Sequence, residues 1–218
     1  MLADMPVVSL MLATSDGCSL DGDLSVPDGP VRAAAVICHP HPLYGGDRHN
    51  NVVDALFRAL PPVGVAALRF DFRGVGRSTG THGLGVDEAL DLVAALDELS
   101  SRWPALPLIA AGYSFGSMVA LGAGDPRVAG WVAVAPPLSA MNLDASAVAD
   151  DSRPKLVLAA EHDQFTPSAV ARAVCADWVA TTEVEIPAAD HFLAGRTAWV
   201  VERVTEWLDR VLTGRASS

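Results

Sequence analysis

The run Gly112-Tyr113-Ser114-Phe115-Gly116 has the spacing G-x-S-x-G, and its flanks decide what that spacing means. Before it lies a short apolar segment, Leu106 to Ala111, and after it Ser117-Met118-Val119-Ala120-Leu121 begins as a buried helix would. Strand, serine turn and helix together form the context in which this motif presents a nucleophile. A serine at so sharp a turn occupies strained backbone space and needs neighbours almost without side chains, which Gly112 and Gly116 supply. The turn pushes the hydroxyl out at the carboxyl end of the strand, over a helix N-terminus whose free N–H groups favour developing negative charge. Without such flanks the same five residues would be an ordinary turn.

A serine hydroxyl is a weak nucleophile at neutral pH and needs a general base beside it. Histidine is the natural base because its pKa lies near working pH. The histidines are His39, His41, His49, His82, His162 and His191. With the order nucleophile, acid, base along the chain, only His162 and His191 remain. His191, between the last expected strand and the last expected helix, can reach over the sheet end and is the expected base, with His162 as the alternative. The carboxylate that orients the base is expected at Asp163, in the loop Glu161 to Pro167 after a central strand, with Glu161 and Asp190 as rivals. An oxyanion needs two backbone donors. Phe115, after the nucleophile, is one. The other must come from His39-Pro40-His41-Pro42-Leu43-Tyr44-Gly45-Gly46, where Pro40 and Pro42 have no N–H, so it is His41 or Leu43, and His41 is preferred.

The elements around these residues follow from their patterns. Val7 to Ala13 and Ser19 to Val26 predict two strands, the second interrupted by Asp21-Gly22-Asp23. Ala33 to Cys38 is a continuous apolar run, the mark of a strand buried on both faces. Val52, Val53, Leu56, Phe57 and Leu60 fall at helical spacing, with Asp47, Asn50 or Asn51 as cap and Pro61-Pro62 as stop. Further strands are predicted at Val63 to Phe72, Val128 to Ala135, Pro154 to Ala160 and Glu183 to Ile186. Helices are predicted through Val86, Leu90, Val93 and Leu96, from Ser168 to Val179, and through Val200, Val204, Trp207, Leu208 and Val211. Alternation of strand and helix implies a mostly parallel sheet covered on both faces, with ligands beyond the carboxyl ends of its strands. No repeat or linker divides residues 1–218, so one domain is expected.

A chain of 218 residues, half of them hydrophobic, can bury a core without disulfides or metals. Its net charge of −11 and lack of a Lys/Arg cluster argue against a nucleic-acid surface. Cys18, Cys38 and Cys175 are odd in number and scattered, which suggests free thiols in a reducing compartment. Neither a signal-like N-terminus nor an apolar run of membrane-spanning length is seen, so a cytoplasmic protein without membrane contact is expected. Cys38 and the tryptophans Trp103, Trp131, Trp178, Trp199 and Trp207 are expected to be packing residues.

Taken together, His39 to Gly46, Asp71 to Ser78 (D-x-R-G-x-G-x-S), Gly112 to Gly116, Asp163 with Pro167, and His191-Phe192 resemble the α/β-hydrolase superfamily. Within it the chain is similar to small bacterial serine hydrolases with an HPHP-x-x-GG loop, along essentially its whole length. The resemblance implies Ser114, Asp163 and His191 as a triad, no cofactor, and structural roles for Asp71 and Arg73. Only Leu138 to Arg153 stands where many relatives carry a helical lid, which implies a minimal lid, an open site and a small acyl substrate. The expected activity is hydrolysis of an ester, thioester or similar acyl bond through an acyl-serine. Two other readings compete: metal-assisted hydrolysis by His39, His41, Asp47 and His49, and a catalytically silent fold used for binding.

Overall fold

Ala33 to Cys38 carries no charged or hydroxyl side chain, and such a strand is stable only between two covering layers. The computed structural model, which describes residues 6–139 and 146–215, places it there as β3 (Ala33–Cys38), buried at every position. Parallel to it on either side run β4 (Val65–Phe70) and β5 (Leu108–Tyr113), both buried throughout. Past β5 the sheet continues in parallel through β6 (Val128–Val134), β7 (Lys155–Ala160) and β8 (Thr181–Ile186). Past β4 it turns antiparallel, through β2 (Ser19–Ser25) to β1 (Val7–Ala13).

The order of the eight strands is β1-β2-β4-β3-β5-β6-β7-β8. The chain therefore steps from β3 outward to β4, then crosses back over β3 to β5 and runs outward the other way. The loops after β3 and β5 diverge at that reversal, and the crevice between them is where an open α/β sheet binds its ligand. The HPHP loop and the serine turn are those two loops.

The helices cover both faces. On one side α1 (Asn51–Ala59) and α6 (Thr197–Arg215) pack Val52, Val53, Leu56, Phe57, Val200, Val204, Trp207 and Leu208 against Ala35 and Ile37 of β3. On the other, α2 (Glu88–Arg102), α3 (Phe115–Gly122) and α5 (Ser168–Cys175) contribute Leu92, Leu96, Leu99, Met118 and Cys175 to the layer over Val36 and Cys38. Trp131 and Trp207 are buried in these two layers as packing residues. Asn50 is the cap of α1, its side chain accepting from Val52 N–H at 3.0 Å.

Several boundaries differ from expectation for identifiable reasons. β2 is not interrupted at Asp21-Gly22-Asp23, because both carboxylates are buried against guanidinium groups: Asp21 meets Arg48 and Arg77, and Asp23 meets Arg48 and Arg69. β4 starts at Val65 rather than Val63, since Pro61–Val63 forms a 3-10 turn closed by Gly64 at φ 82. The helix marked by Val86, Leu90, Val93 and Leu96 is α2, but it starts at Glu88 with Val86 ahead of it in solvent; Leu90 and Val93 are only partly buried, and the inner face carries Glu88, Asp91, Leu92, Ala95, Leu96 and Leu99. α5 stops at Cys175 rather than Val179. Of Leu138 to Arg153, residues 140–145 lie outside the described residues, and a short α4 (Ser146–Ala149) follows where no pattern was legible. Among the described residues no helix is long and apolar enough to cross a membrane.

Candidate active site

Ser114 connects β5 to α3 with φ 53 and ψ −121, a conformation that L-residues avoid and that costs on the order of 1–3 kcal/mol. The turn is held by Ser114 N–H donating to Val134 O at 2.9 Å and by the Ser117 hydroxyl donating to Ser114 O at 2.5 Å. The flanking glycines are needed for space. A Cβ on Gly112 would sit 2.3 Å from the Gly116 backbone, and one on Gly116 would sit 2.4 Å from Cys38 O and 2.5 Å from His39 O. The elbow therefore presses directly on the start of the HPHP loop. Strain recurs along the same rim, with Ala135, Ala188 and Leu193 at φ 44, 48 and 54; the last two bracket His191.

Three side chains that are far apart in sequence meet here. Ser114 Oγ lies 2.8 Å from His191 Nε2, and His191 Nδ1 lies 2.7 Å from Asp163 Oδ2. The tautomer with the proton on Nδ1 satisfies both contacts, with Nδ1–H donating to Asp163 and Nε2 accepting from the serine hydroxyl. The second carboxylate oxygen of Asp163 accepts from Phe165 N–H at 2.8 Å and Thr166 N–H at 3.2 Å. Ser114, His191 and Asp163 are all buried, with Asp163 at 1% exposure beneath the other two. The rivals are engaged elsewhere. His162 is exposed and faces Glu161, which accepts from Ala188 N–H, while Asp190 caps Phe192 N–H.

Two residues that motif reading passed over fix His191. The Tyr113 hydroxyl donates to His191 O at 2.7 Å, and Gln164 Oε1 accepts from His191 N–H at 3.4 Å. Burial pushes the Tyr113 phenol above its ordinary range, so it remains a donor. Tyr113 was visible only as a variable position of the serine motif.

The HPHP loop folds on itself. Pro42–Tyr44 is a 3-10 turn, His41 O accepts from Tyr44 and Gly46 N–H, and His41 Nδ1 accepts from Leu43 N–H at 3.2 Å. Burial holds the His41 ring below the ordinary histidine range, which keeps Nδ1 an acceptor. A side chain on Gly46 would strike Pro40 O at 2.1 Å, so the second glycine is needed for the loop to close. The loop is anchored at its far end by Arg48, whose N–H and guanidinium both donate to Asp71 and whose guanidinium also pairs with Asp21 and Asp23. Arg73 is likewise structural, bound to Asp91 and Asp16.

His39 is held inside the protein. Nδ1 is 2.6 Å from Pro40 O and Nε2 accepts from Phe72 N–H at 3.0 Å, so neither nitrogen is offered to a ligand. Among the described residues no group of three His, Cys, Asp or Glu side chains is placed to hold a metal. Burial lowers the His39 pKa from 6.5 to about 4. Between those values the unfolded chain takes up a proton that the folded protein refuses, so the contribution of His39 to stability is full above pH 6.5 and is lost as the pH drops toward 4. The loss from this group is about 3 kcal/mol, at roughly 1.4 kcal/mol per pKa unit. Urea unfolding of His39→Gln beside the parent should show a lower midpoint at pH 7 and a shallower decline between pH 6.5 and 4. Parallel declines would contradict the assignment.

A cavity of about 720 Å³ opens over Ser114, lined by Pro40, His41, Tyr44, Gly45, Gly46, Asn50, Tyr113, Phe115, Pro137, Phe165, His191 and Phe192. A larger hollow of about 910 Å³, among Pro27–Arg32, Pro61–Gly64 and α6, contains none of these groups and is a surface groove at the far side of the chemistry. Three aromatic side chains stand exposed around the serine: Tyr44 at 88%, Phe192 at 62% and Phe165 at 47%.

A mostly parallel sheet of this order, with a strained serine between its β5 strand and the next helix, defines an α/β-hydrolase. Residues 29–149 match the family described as serine aminopeptidase, S33 (Hydrolase_4), more than half of the chain, and the protein belongs to that family. The structure of an alpha-beta serine hydrolase homologue from Coxiella burnetii is similar, with 31% identity, a TM-score of 0.84, and 92% of this chain and 97% of that chain covered. A Xanthomonas campestris protein described as an α/β serine hydrolase without lid is 29% identical, with a TM-score of 0.78 over 93% of this chain and 97% of that one. An uncharacterized protein of Rickettsia prowazekii (strain Madrid E) is 34% identical over 150 residues; the match spans 67% of this chain and 63% of the relative's length.

Proposed function

We propose that the protein hydrolyses an ester, thioester or similar acyl bond of a small, uncharged substrate through an acyl-Ser114 intermediate. The observation that carries this reading is the continuous contact from Ser114 Oγ to His191 Nε2 at 2.8 Å and from His191 Nδ1 to Asp163 at 2.7 Å. His191 takes the hydroxyl proton as Ser114 attacks the carbonyl, then returns it to the leaving group. Water next donates a proton to His191 as it attacks the acyl-serine, and the acid product leaves with Ser114 restored. Asp163 holds the imidazole in the useful tautomer and stabilises the imidazolium. The oxyanion accepts from the N–H of Phe115, at the start of α3, and from the N–H of His41; Leu43 N–H is occupied by the His41 ring.

The lining of the cavity supports a neutral acyl group. Among the described residues it presents aromatic rings, prolines and glycines, whereas the free N-terminus of a peptide would need a carboxylate for its ammonium group. Free Cys18, Cys38 and Cys175 support a reducing, cytoplasmic setting. The test is a panel of p-nitrophenyl esters of rising chain length, with an acyl thioester and an aminoacyl p-nitroanilide beside them. Turnover of short and medium esters well above the anilide is expected. Turnover of the anilide alone would replace the reading with an aminopeptidase, and no turnover of any ester or thioester would end it.

A further inference from the structure

The two residues assigned to the oxyanion belong to one cluster of rings. The His41 ring lies 4.9 Å from that of Phe115, and the ring of His82, from the loop before α2, lies 4.9 Å from His41 and 5.4 Å from Phe115. The side chains of His82 and Glu88 are 7% and 0% exposed, and His82 Nδ1 is 2.7 Å from Glu88 Oε1. That contact is close but poorly aligned, and among the described residues neither ring nitrogen of His82 makes a hydrogen bond of normal geometry. The contact therefore locates the ring against the Glu88 carboxylate without being a directed bond. Glu88 is itself clamped, with Oε1 accepting from Gly83 N–H at 2.8 Å and Oε2 from Gly85 N–H at 2.7 Å. A carboxylate removed so completely from water is costly unless its partners are fixed, and the hydrolysis described above makes no use of it.

The HPHP loop needs such a support. Leu43 and Tyr44 stand 68% and 88% exposed, so the loop has little packing on its outer side. Its inner side is the His41 ring against Phe115 and His82. We propose that His82, located by Glu88, is a positioning residue for the oxyanion hole: its ring abuts those of His41 and Phe115 and holds their two backbone N–H groups convergent. Donors must stand about 2.7–3.1 Å from the developing oxyanion, and a displacement of about 1 Å can cost on the order of 100-fold in rate. The inference rests on the acyl-serine reading.

The test measures steady-state hydrolysis of a short p-nitrophenyl ester, with active sites counted by fluorophosphonate titration so that misfolded protein does not enter kcat. His82→Ala should lower kcat by roughly 10- to 100-fold with KM within about threefold, because the support acts on the transition state and not on the bound ester. Affinity for a trifluoromethyl ketone, whose adduct with serine places an oxyanion in the hole, should fall by the same factor. His82→Phe, which keeps a ring in place, should restore most of kcat. If His82→Ala gives no folded protein, Glu88→Gln carries the test, with the same loss in kcat and in ketone affinity expected. Unchanged kcat per titrated site in either variant, or a loss confined to KM, overturns the proposal. Ser114→Ala runs alongside. If it retains turnover, the acyl-serine reading fails; if it is silent while the His82 variants keep full kcat, only the positioning role fails.

Discussion

Ser114→Ala should lower kcat by roughly 10⁴- to 10⁶-fold while leaving the protein folded. Removal of the hydroxyl takes away the only atom of that residue that the proposed chemistry uses. The strained backbone is untouched, since its supports are the hydrogen bond from Ser114 N–H to Val134 O and the one from the Ser117 hydroxyl to Ser114 O, neither of which involves Oγ. Thermal unfolding of the variant should therefore match the parent closely. Activity within tenfold of the parent, in protein shown to be folded, would mean that the reaction runs through some other group.

Asp163→Asn should be almost as damaging, for a subtler reason. Asparagine can keep its carbonyl oxygen on Phe165 and Thr166 N–H, where Oδ1 now accepts at 2.8 and 3.2 Å. Its amide nitrogen then faces His191 Nδ1 and donates to it, which moves the ring proton to Nε2. In that tautomer His191 cannot accept from Ser114, so kcat should fall about 10³- to 10⁴-fold at neutral pH with little change in KM. The rate of fluorophosphonate labelling at Ser114 should fall with it. A variant retaining more than a tenth of parental kcat would show that Asp163 does not set the tautomer.

The readable parts of this protein were those where chemistry and local pattern coincide. β3, β5 and, past its first residue Lys155, β7 were legible because a strand covered on both faces is built of a continuous apolar run, and the serine turn because its glycines are demanded by backbone contacts to Cys38 and His39. The parts that escaped reading are charged and buried. Asp21 and Asp23 look like a break in a strand until Arg48, Arg69 and Arg77 are seen beside them, and those partners arrive from distant loops and strands. The inner face of α2 was not legible for the same reason: it carries Glu88 and Asp91, one held by Gly83 and Gly85 N–H and the other by Arg73. Periodicity assigns charge to the outside, and only pairing across long sequence separations reverses that. Tyr113 belongs to the same class, since its bond to His191 O joins residues that only the finished sheet brings together.

The most direct test of the covalent reading is to mix the enzyme with excess p-nitrophenyl acetate, quench in acid during the burst, and map the modified peptide by mass spectrometry. One acetyl group on Ser114, absent from Ser114→Ala and accumulating in step with the p-nitrophenol burst, is the predicted result. Steady turnover with Ser114 unmodified, or with the acyl group found on another residue, would contradict the account.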